Sequence, residues 1–198
     1  IGRNYIAHAN ELNNPVPEKP VFFMKPDTAL LPPHNPFFYP EFSNEIHFEA
    51  ELVIRINKNG KHIAEKFAHK YYDEITVGID FTARDLQADC KKKGLPWEIA
   101  KAFDFSAPVG KFIPLNTFKD KNDIPFGLKI NDEWRQQGNS QNMIFTFDRI
   151  IAYVSQFVTL RSGDLIFTGT PEGVGPAQIN DHFELFLADE KVLDFKVK

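Results

Sequence analysis

One cysteine, Cys90, in 198 residues leaves no partner for an internal disulfide, and the chain suits a reducing compartment, taken as the cytoplasm. No apolar run of about 18 residues occurs, so no membrane-spanning helix is expected. No secretory signal pattern opens the chain, which starts at Ile1 rather than at methionine. Basic charge is not in excess: 23 Lys and Arg stand against 27 Asp and Glu, and no basic stripe for nucleic acid stands out. The nearest thing to one, Lys91-Lys92-Lys93, reads as a solvated helix end. Repeats, low-complexity tracts and linkers are absent too. What is present is apolar material, 42% of residues, enough for one ordered domain over 1–198.

The stretch His47–Ile56 organises the rest. From Phe48 it alternates: Phe48, Ala50, Leu52, Ile54 and Ile56 on one parity, Glu49, Glu51, Val53 and Arg55 on the other. A two-residue period rich in β-branched residues predicts a half-buried strand. Before it, Ile6–Leu12 reads as a short helix stopped by Pro15, Pro17 and Pro20, and Val21–Met24 as a short buried strand. Residues 27–45, with four prolines among aromatics, read as an irregular excursion holding a short hairpin. After it come a turn at Asn59-Gly60, mixed, partly helical sequence over 62–74, a strand over Ile75–Thr82, and a helix over Ala83–Lys93 capped by Gly94. A hairpin follows with its turn near Asn131-Asp132, then a helix over Phe147–Thr159 that turns Ile150, Ile151, Val154, Phe157 and Val158 to one face. A run Leu165–Thr168, a glycine-rich loop and two short strands close an α+β pattern.

Side chains at i and i+2 of a strand leave on the same face, so Glu49 and Glu51 aim at one point. Two readings fit: the polar face of a sheet, or two oxygen ligands for a hard divalent cation. Asp80, at the end of the next strand, is a helix cap or a third ligand. Three carboxylates without a cysteine cluster favour Mg²⁺ or Mn²⁺. His8 and Glu11, at i and i+3, are either a surface pair or a base with its orienting carboxylate. Arg84 and Gln87 share a helix face in the same way. Lys25 and Lys101 are solvated lysines or site cations, and Lys101 has the more apolar surroundings. The segment 169–175 lacks the Gly-Lys-Ser/Thr ending of a phosphate loop and reads as a tight loop bringing backbone amides and Thr170 near a ligand.

Seven motifs then occur in order: Asn-Tyr-x-x-His-x-x-Glu from Asn4 to Glu11, Phe-Met-Lys-Pro from Phe23, Glu49-x-Glu51, Asp80-Phe-Thr-Ala-Arg84-Asp-Leu-Gln87, Lys92-Lys-Gly-Leu-Pro-Trp97, Ala100-Lys101, and Gly163 to Pro176. Together they resemble the fumarylacetoacetate hydrolase family, its short acylpyruvate hydrolase and oxaloacetate decarboxylase branch in particular. The resemblance implies a mixed β-roll, a homodimer whose first strand lies upstream of Ile1, and a small 2-oxo acid substrate. It implies Mg²⁺ or Mn²⁺ on Glu49, Glu51 and Asp80. It further implies that His8 and Glu11 activate water, that Lys101 offsets oxyanion charge, and that Lys25, Arg84, Gln87 and Thr170 line the substrate site. The activity implied is cleavage of the C3–C4 bond of acylpyruvates with pyruvate enolate as leaving group. Oxaloacetate decarboxylation and 2-oxo acid tautomerisation or isomerisation use the same grip, and a non-catalytic, metal-stabilised dimeric binding protein is the other class. Residues 27–45 or 88–106 are the expected walls or lid for the acyl chain. Asn180-Asp181 and Ala102 depart from the family pattern, away from the expected ligands.

Overall fold

The structure, a computed structural model, describes residues 1–11 and 16–198; Leu12 and Pro15 of the expected first helix and its stop lie outside the described residues. In chain order the elements are α1 Ile6–Glu11, β1 Ile46–Phe48, β2 Ala50–Ile56, α2 Glu65–Ala68, β3 Tyr72–Ile79, β4 Thr82–Ala83, α3 Arg84–Lys93 and α4 Glu98–Lys101. There follow β5 Ile113–Pro114, β6 Pro125–Ile130, β7 Glu133–Asn139, α5 Phe147–Val154, β8 Leu165–Phe167, β9 Gly175–Pro176, β10 His182–Leu187 and β11 Glu190–Lys196. The strands form two four-stranded sheets, ordered β5-β3-β2-β8 and β11-β10-β6-β7, and a small third sheet β4-β1-β9. The ladders between these strands are antiparallel, while the isolated bridges Leu30–Ala107 and Phe37–Val197 are parallel. This is the expected mixed-sheet α+β fold with a few short helices.

The two large sheets face each other, β3 against β10 and β11. Between them sits an aromatic cluster. Phe37 stacks on Phe81 at 4.0 Å between centroids, and Phe183 stacks on Phe195 at 5.2 Å. Phe48 and Phe81 meet Phe183 edge-on. Rings of this size dominate core energetics, at about 2–3 kcal/mol each for full burial. Strand β10 alternates buried Phe183, Leu185 and Leu187 with half-exposed neighbours, as one covered face requires.

The central strand differs from expectation in two ways. It is buried on both faces, Glu49, Glu51 and Val53 included. It is also interrupted at Glu49, so that β1 joins the small sheet and β2 a large one. The Ala50 N–H bonds the side-chain Oε1 of Gln136 at 2.9 Å, not a neighbouring strand, which ends the ladder there. Val21–Met24 is not a buried strand: Val21 makes one bridge to Gly2, and Met24 stands 63% exposed. Pro20 and Pro26 bracket the segment and offer no amide to a ladder. No hairpin forms over residues 27–45, which carry one 3₁₀ turn at Asp27–Ala29.

Elsewhere the local signals hold. Gly94 ends α3 in the left-handed region at φ 67°, with the Leu95 N–H returning to the Cys90 carbonyl at 2.9 Å. Asn131 and Asp132, at φ 53° and 67°, make the turn between β6 and β7. Helix α5 starts at Thr146, whose hydroxyl accepts the Arg149 N–H, and buries Phe147, Ile150, Ile151 and Val154. It stops sooner than expected, which leaves Phe157 exposed against Phe22 and Tyr153.

Candidate active site

The end of β3, the break before β2 and helices α3 and α4 converge on one point. Glu49, Glu51 and Asp80 are all buried there, and each offers an oxygen within 4.8 Å of the others. Pairing of Glu51 with Gly78 across β2 and β3, and the Asp80 N–H bond to the Glu49 carbonyl at 2.8 Å, hold this register. Asp80 is not a helix cap: α3 starts after Ala83, which makes no side-chain cap bond.

Cations surround the triad. Lys101 Nζ lies 2.8 Å from both Glu49 Oε2 and Asp80 Oδ2 and also donates to Thr82 Oγ1. Arg84 donates to Glu49 Oε1 at 2.9 Å and to Gln87 Oε1 at 2.8 Å, while its buried Nε–H has no acceptor. Burial pushes the Glu49 carboxyl up, but the charges of Lys101 and Arg84 outweigh it and hold the group far below the usual carboxylate range. Glu51 lacks such a cation beside it. Burial drives its carboxyl up to about 8; the charges of Asp80 and Glu49 add to this, and the Gly169 N–H counters it. Burial lowers the Lys101 ammonium, yet Asp80 and Glu49 more than compensate and keep it charged.

Three buried oxygen donors suit a hard divalent cation. Asp80 Oδ1 sits 2.8 Å from Lys25 Nζ but accepts no well-aligned hydrogen bond, so an oxygen in this cluster still has lone pairs to offer. Glu51 accepts one N–H, from Gly169 at 2.6 Å, which leaves its other oxygen open. The donor set therefore fits Mg²⁺ or Mn²⁺.

His8 is buried and its Nδ1 lies 3.2 Å from Glu11 Oε2. With the carboxylate accepting, the ring carries its proton on Nδ1 and Nε2 is a free base. The other oxygen of Glu11 accepts the Gly173 N–H at 3.1 Å. Two amides of the glycine-rich loop, those of Gly169 and Gly173, are thus spent on Glu51 and Glu11 and orient the site's carboxylates. Gly169 allows this at φ 105°; a Cβ there would lie 2.6 Å from Asn4 Cβ.

A cavity of about 30 Å³ joins these groups, lined by His8, Glu49, Glu51, Asp80, Arg84, Gln87, Lys101 and Thr170. That volume takes one or two waters or a bare cation. Of the expected site residues, Glu11 orients His8 from behind and Lys25 stands apart. Lys25 is half-buried against Asp80, donates to Ser106 Oγ at 2.8 Å, to the Ser106 carbonyl at 3.4 Å and to the Lys101 carbonyl, and lines a neighbouring apolar cavity of about 310 Å³. Its ammonium has no N–H left over, so it positions Asp80 and the α4 turn, and a substrate contact is not what the geometry shows. Residues 27–45 do not reach the carboxylate cavity; Trp97, from 88–106, does.

Sequence reasoning missed several residues that build the site. Gln136 bridges the Ala50 N–H to Thr170 Oγ1 at 2.9 Å. Asn4 ties the N-terminal segment to Phe145 and Thr168 through three buried bonds. Arg3 and Lys91 also line the cavity, Lys91 from its rim, exposed in the last turn of α3 as its reading as part of a solvated helix end expected.

The profile of the family described as "Fumarylacetoacetate (FAA) hydrolase C-terminal" matches residues 1–198. The chain belongs to the fumarylacetoacetate hydrolase family. Two relatives within it are named for reactions of oxaloacetate. Over 198 residues the chain is 43% identical to the mitochondrial oxaloacetate tautomerase of Mus musculus, covering 100% of this chain and 90% of that one. Over 179 residues it is 43% identical to the mitochondrial oxaloacetate decarboxylase of Dictyostelium discoideum, covering 90% and 82%. Among solved structures, fumarylpyruvate hydrolase from Pseudomonas aeruginosa, in complex with Mn²⁺ and pyruvate, superposes with a TM-score of 0.92 at 37% identity, over 99% of this chain and 86% of that one. The family's named members here are enzymes. Both oxaloacetate enzymes are named mitochondrial, which gives the expected cytoplasmic location no support. No helix of the described residues is long and apolar enough to cross a membrane.

Proposed function

We propose that the protein is a metal-dependent hydrolase of acylpyruvates, cleaving the C3–C4 bond of a 2,4-dioxo acid to release pyruvate and a carboxylic acid. The observation that carries this reading is the placement of a buried His8, paired with Glu11 behind it, on the same cavity as a buried carboxylate triad. Glu49, Glu51 and Asp80 would hold Mg²⁺ or Mn²⁺. A divalent ion there supplies Lewis-acid polarisation of a 2-oxo acid.

The chain's own groups do the rest. Glu11 accepts from Nδ1 and fixes the His8 tautomer, so Nε2 takes a proton from water. The water oxygen adds to the C4 carbonyl. The C3–C4 bond then breaks, its electron pair forms the pyruvate enolate, and the proton held by His8 is available to C3. Lys101, buried and charged, offsets the anionic charge that develops. The Arg84 Nε–H, which has no acceptor within the protein, is a donor for the substrate carboxylate.

Tautomerisation or decarboxylation of oxaloacetate is the second reading, favoured by the names of the relatives at 43% identity. Decarboxylation forms the same pyruvate enolate by loss of CO₂, tautomerisation forms the enolate of oxaloacetate itself by removal of a C3 proton, and neither needs water attack. The experiment is loss of acetylpyruvate and of fumarylpyruvate, followed by ultraviolet absorbance, with Mg²⁺ and then with excess chelator, alongside oxaloacetate. Metal-dependent pyruvate release from either dioxo acid supports hydrolysis. Turnover of oxaloacetate alone replaces hydrolysis by the second reading.

A further inference from the structure

Strand β7 is a run of polar residues around one Trp and one Gly, and Gln136 alone of its seven residues is buried. A buried carboxamide needs a donor for its oxygen and acceptors for its two N–H hydrogens. Gln136 finds them at both ends. Oε1 accepts the Ala50 N–H at 2.9 Å. Nε2 lies 2.9 Å from Thr170 Oγ1, 3.0 Å from the Pro171 carbonyl and 3.4 Å from the Glu172 carbonyl. These neighbours decide which end is which. A backbone N–H can only donate and a backbone carbonyl can only accept. A flipped amide would set donor against donor at Ala50 and oxygen against oxygen at Pro171.

The orientation of the amide fixes the role of its third partner. A hydroxyl can donate or accept, but facing Nε2–H it must accept. Thr170 therefore keeps its own hydrogen for another partner, and its side chain makes no second hydrogen bond among the described residues. Thr170 is buried and lines the carboxylate cavity beside His8, Glu49 and Lys101. Little slack exists by which the hydroxyl could turn away, because the loop is pressed against β7. Gly173, at φ 91°, has room for no more than hydrogen: a Cβ there would lie 2.5 Å from the Arg135 carbonyl. A Cβ on Gly138 would meet Pro171 Cγ at 3.0 Å.

We infer that Gln136 is a positioning residue for the reaction. It commits the Thr170 hydroxyl to donate into the cavity, toward an anionic oxygen of a bound 2-oxo acid. Gln136 touches no substrate itself; it acts from the opposite sheet, by removing the hydroxyl's alternative as an acceptor. The proposal rests on the 2-oxo acid reading above and names the residue that sets the polarity of one contact within it.

The test is calorimetric titration of the Mg²⁺-loaded protein with pyruvate, the product of the proposed cleavage. Thr170→Val should weaken pyruvate binding about tenfold or more, the effect of one hydrogen bond to a charged group, and Thr170→Ser should restore most of it. Gln136→Glu keeps an acceptor for Ala50, but its ionised carboxylate draws the Thr170 hydrogen out of the cavity, and it should weaken pyruvate binding as much as Thr170→Val. Gln136→Met fills the same space without either bond, and should weaken it about threefold or more. Neither Gln136 variant should weaken pyruvate binding further once Thr170 is Val, which is the mark of action through that hydroxyl. Mg²⁺ affinity should stay within about twofold throughout. In turnover, KM for acetylpyruvate should rise with kcat nearly unchanged, as loss of a contact made before and during reaction requires. A Gln136 effect that persists in the Thr170→Val background, or that weakens Mg²⁺ and pyruvate alike, gives Gln136 a structural role only and overturns the proposal. Pyruvate binding indifferent to Thr170→Val overturns it too and leaves the 2-oxo acid reading in place. A metal-loaded wild type that binds no pyruvate removes that reading and the proposal together.

Discussion

Glu51 is the candidate ligand whose burial raises its carboxyl, and replacing it with Gln tests the proposed metal site directly. In the folded, metal-free chain its carboxyl titrates near 8, against an ordinary 4.5, chiefly because it is buried. Between those two values the folded chain holds a proton that the unfolded chain has lost. Stability contributed by the protonated group is therefore full below pH 4.5 and falls as pH rises to about 8. At 1.36 kcal/mol per pH unit the loss is on the order of 5 kcal/mol. For a chain of this size that is about 10–20 °C in melting temperature. Gln is neutral throughout, and its side-chain oxygen can still accept the Gly169 N–H that Glu51 Oε2 takes at 2.6 Å. Thermal melts of metal-free protein from pH 5 to pH 9 should show the wild type losing stability across the window and Glu51→Gln losing much less. Added Mg²⁺ must displace the proton, so its stabilisation of the wild type should grow with pH up to about 8, and should be small in Glu51→Gln. A wild-type melting temperature that is flat or rising over pH 5–8, or full Mg²⁺ stabilisation of the variant, would refute the reasoning.

Other substitutions separate the roles of neighbouring groups. His8→Ala should lower turnover by about 10²–10⁴-fold while Mg²⁺ still raises the melting temperature, because the base lies outside the triad; stopped assays beside thermal melts check both. Gln136→Leu strands the buried Ala50 N–H and releases Thr170, at about 2–3 kcal/mol, read as a shift in a urea midpoint. Gly169→Ala places a methyl 2.6 Å from Asn4 Cβ at φ 105°, and should cost about 2 kcal/mol or more and weaken Mg²⁺ binding as Glu51 loses its amide; calorimetry with Mg²⁺ measures the second effect.

Local pattern made part of this site readable from sequence and concealed another part. The two carboxylates of β2 converge because i and i+2 share a face, and Asp80 joins them across an antiparallel pair, as the pattern suggested. The alternation misled about burial. The groups covering the second face, Lys101 and Arg84 among them, come from residues 80 to 101, and a two-residue period carries no record of partners so distant. Lys25 looked like a substrate cation because its partners, Ser106 and the Lys101 carbonyl, are contributed by a turn about eighty residues on. Gln136 gave no local signal at all, being one polar residue in a strand of polar residues. Lys91 did leave one: in a run of three lysines it alone stands seven residues from Arg84, which brings it to the exposed rim of the cavity.

The interruption at Glu49 has a further consequence for how this protein can change over time. One short run of chain serves two sheets, and two of the presumed ligands stand on either side of the splice. The spacing between their oxygens is therefore a reading of how the small sheet is seated against the large one. Gly175 in β9, where an added Cβ would come within 3.2 Å of the Phe48 ring, helps fix that seating. Substitutions there touch no ligand, yet they would shift one carboxylate relative to the other by tenths of an ångström. Small ions that demand strict octahedral distances notice such a shift more than larger, tolerant ones do. Drift in a strand that touches no candidate ligand thus offers a route to a changed metal preference with Glu49, Glu51 and Asp80 all unchanged.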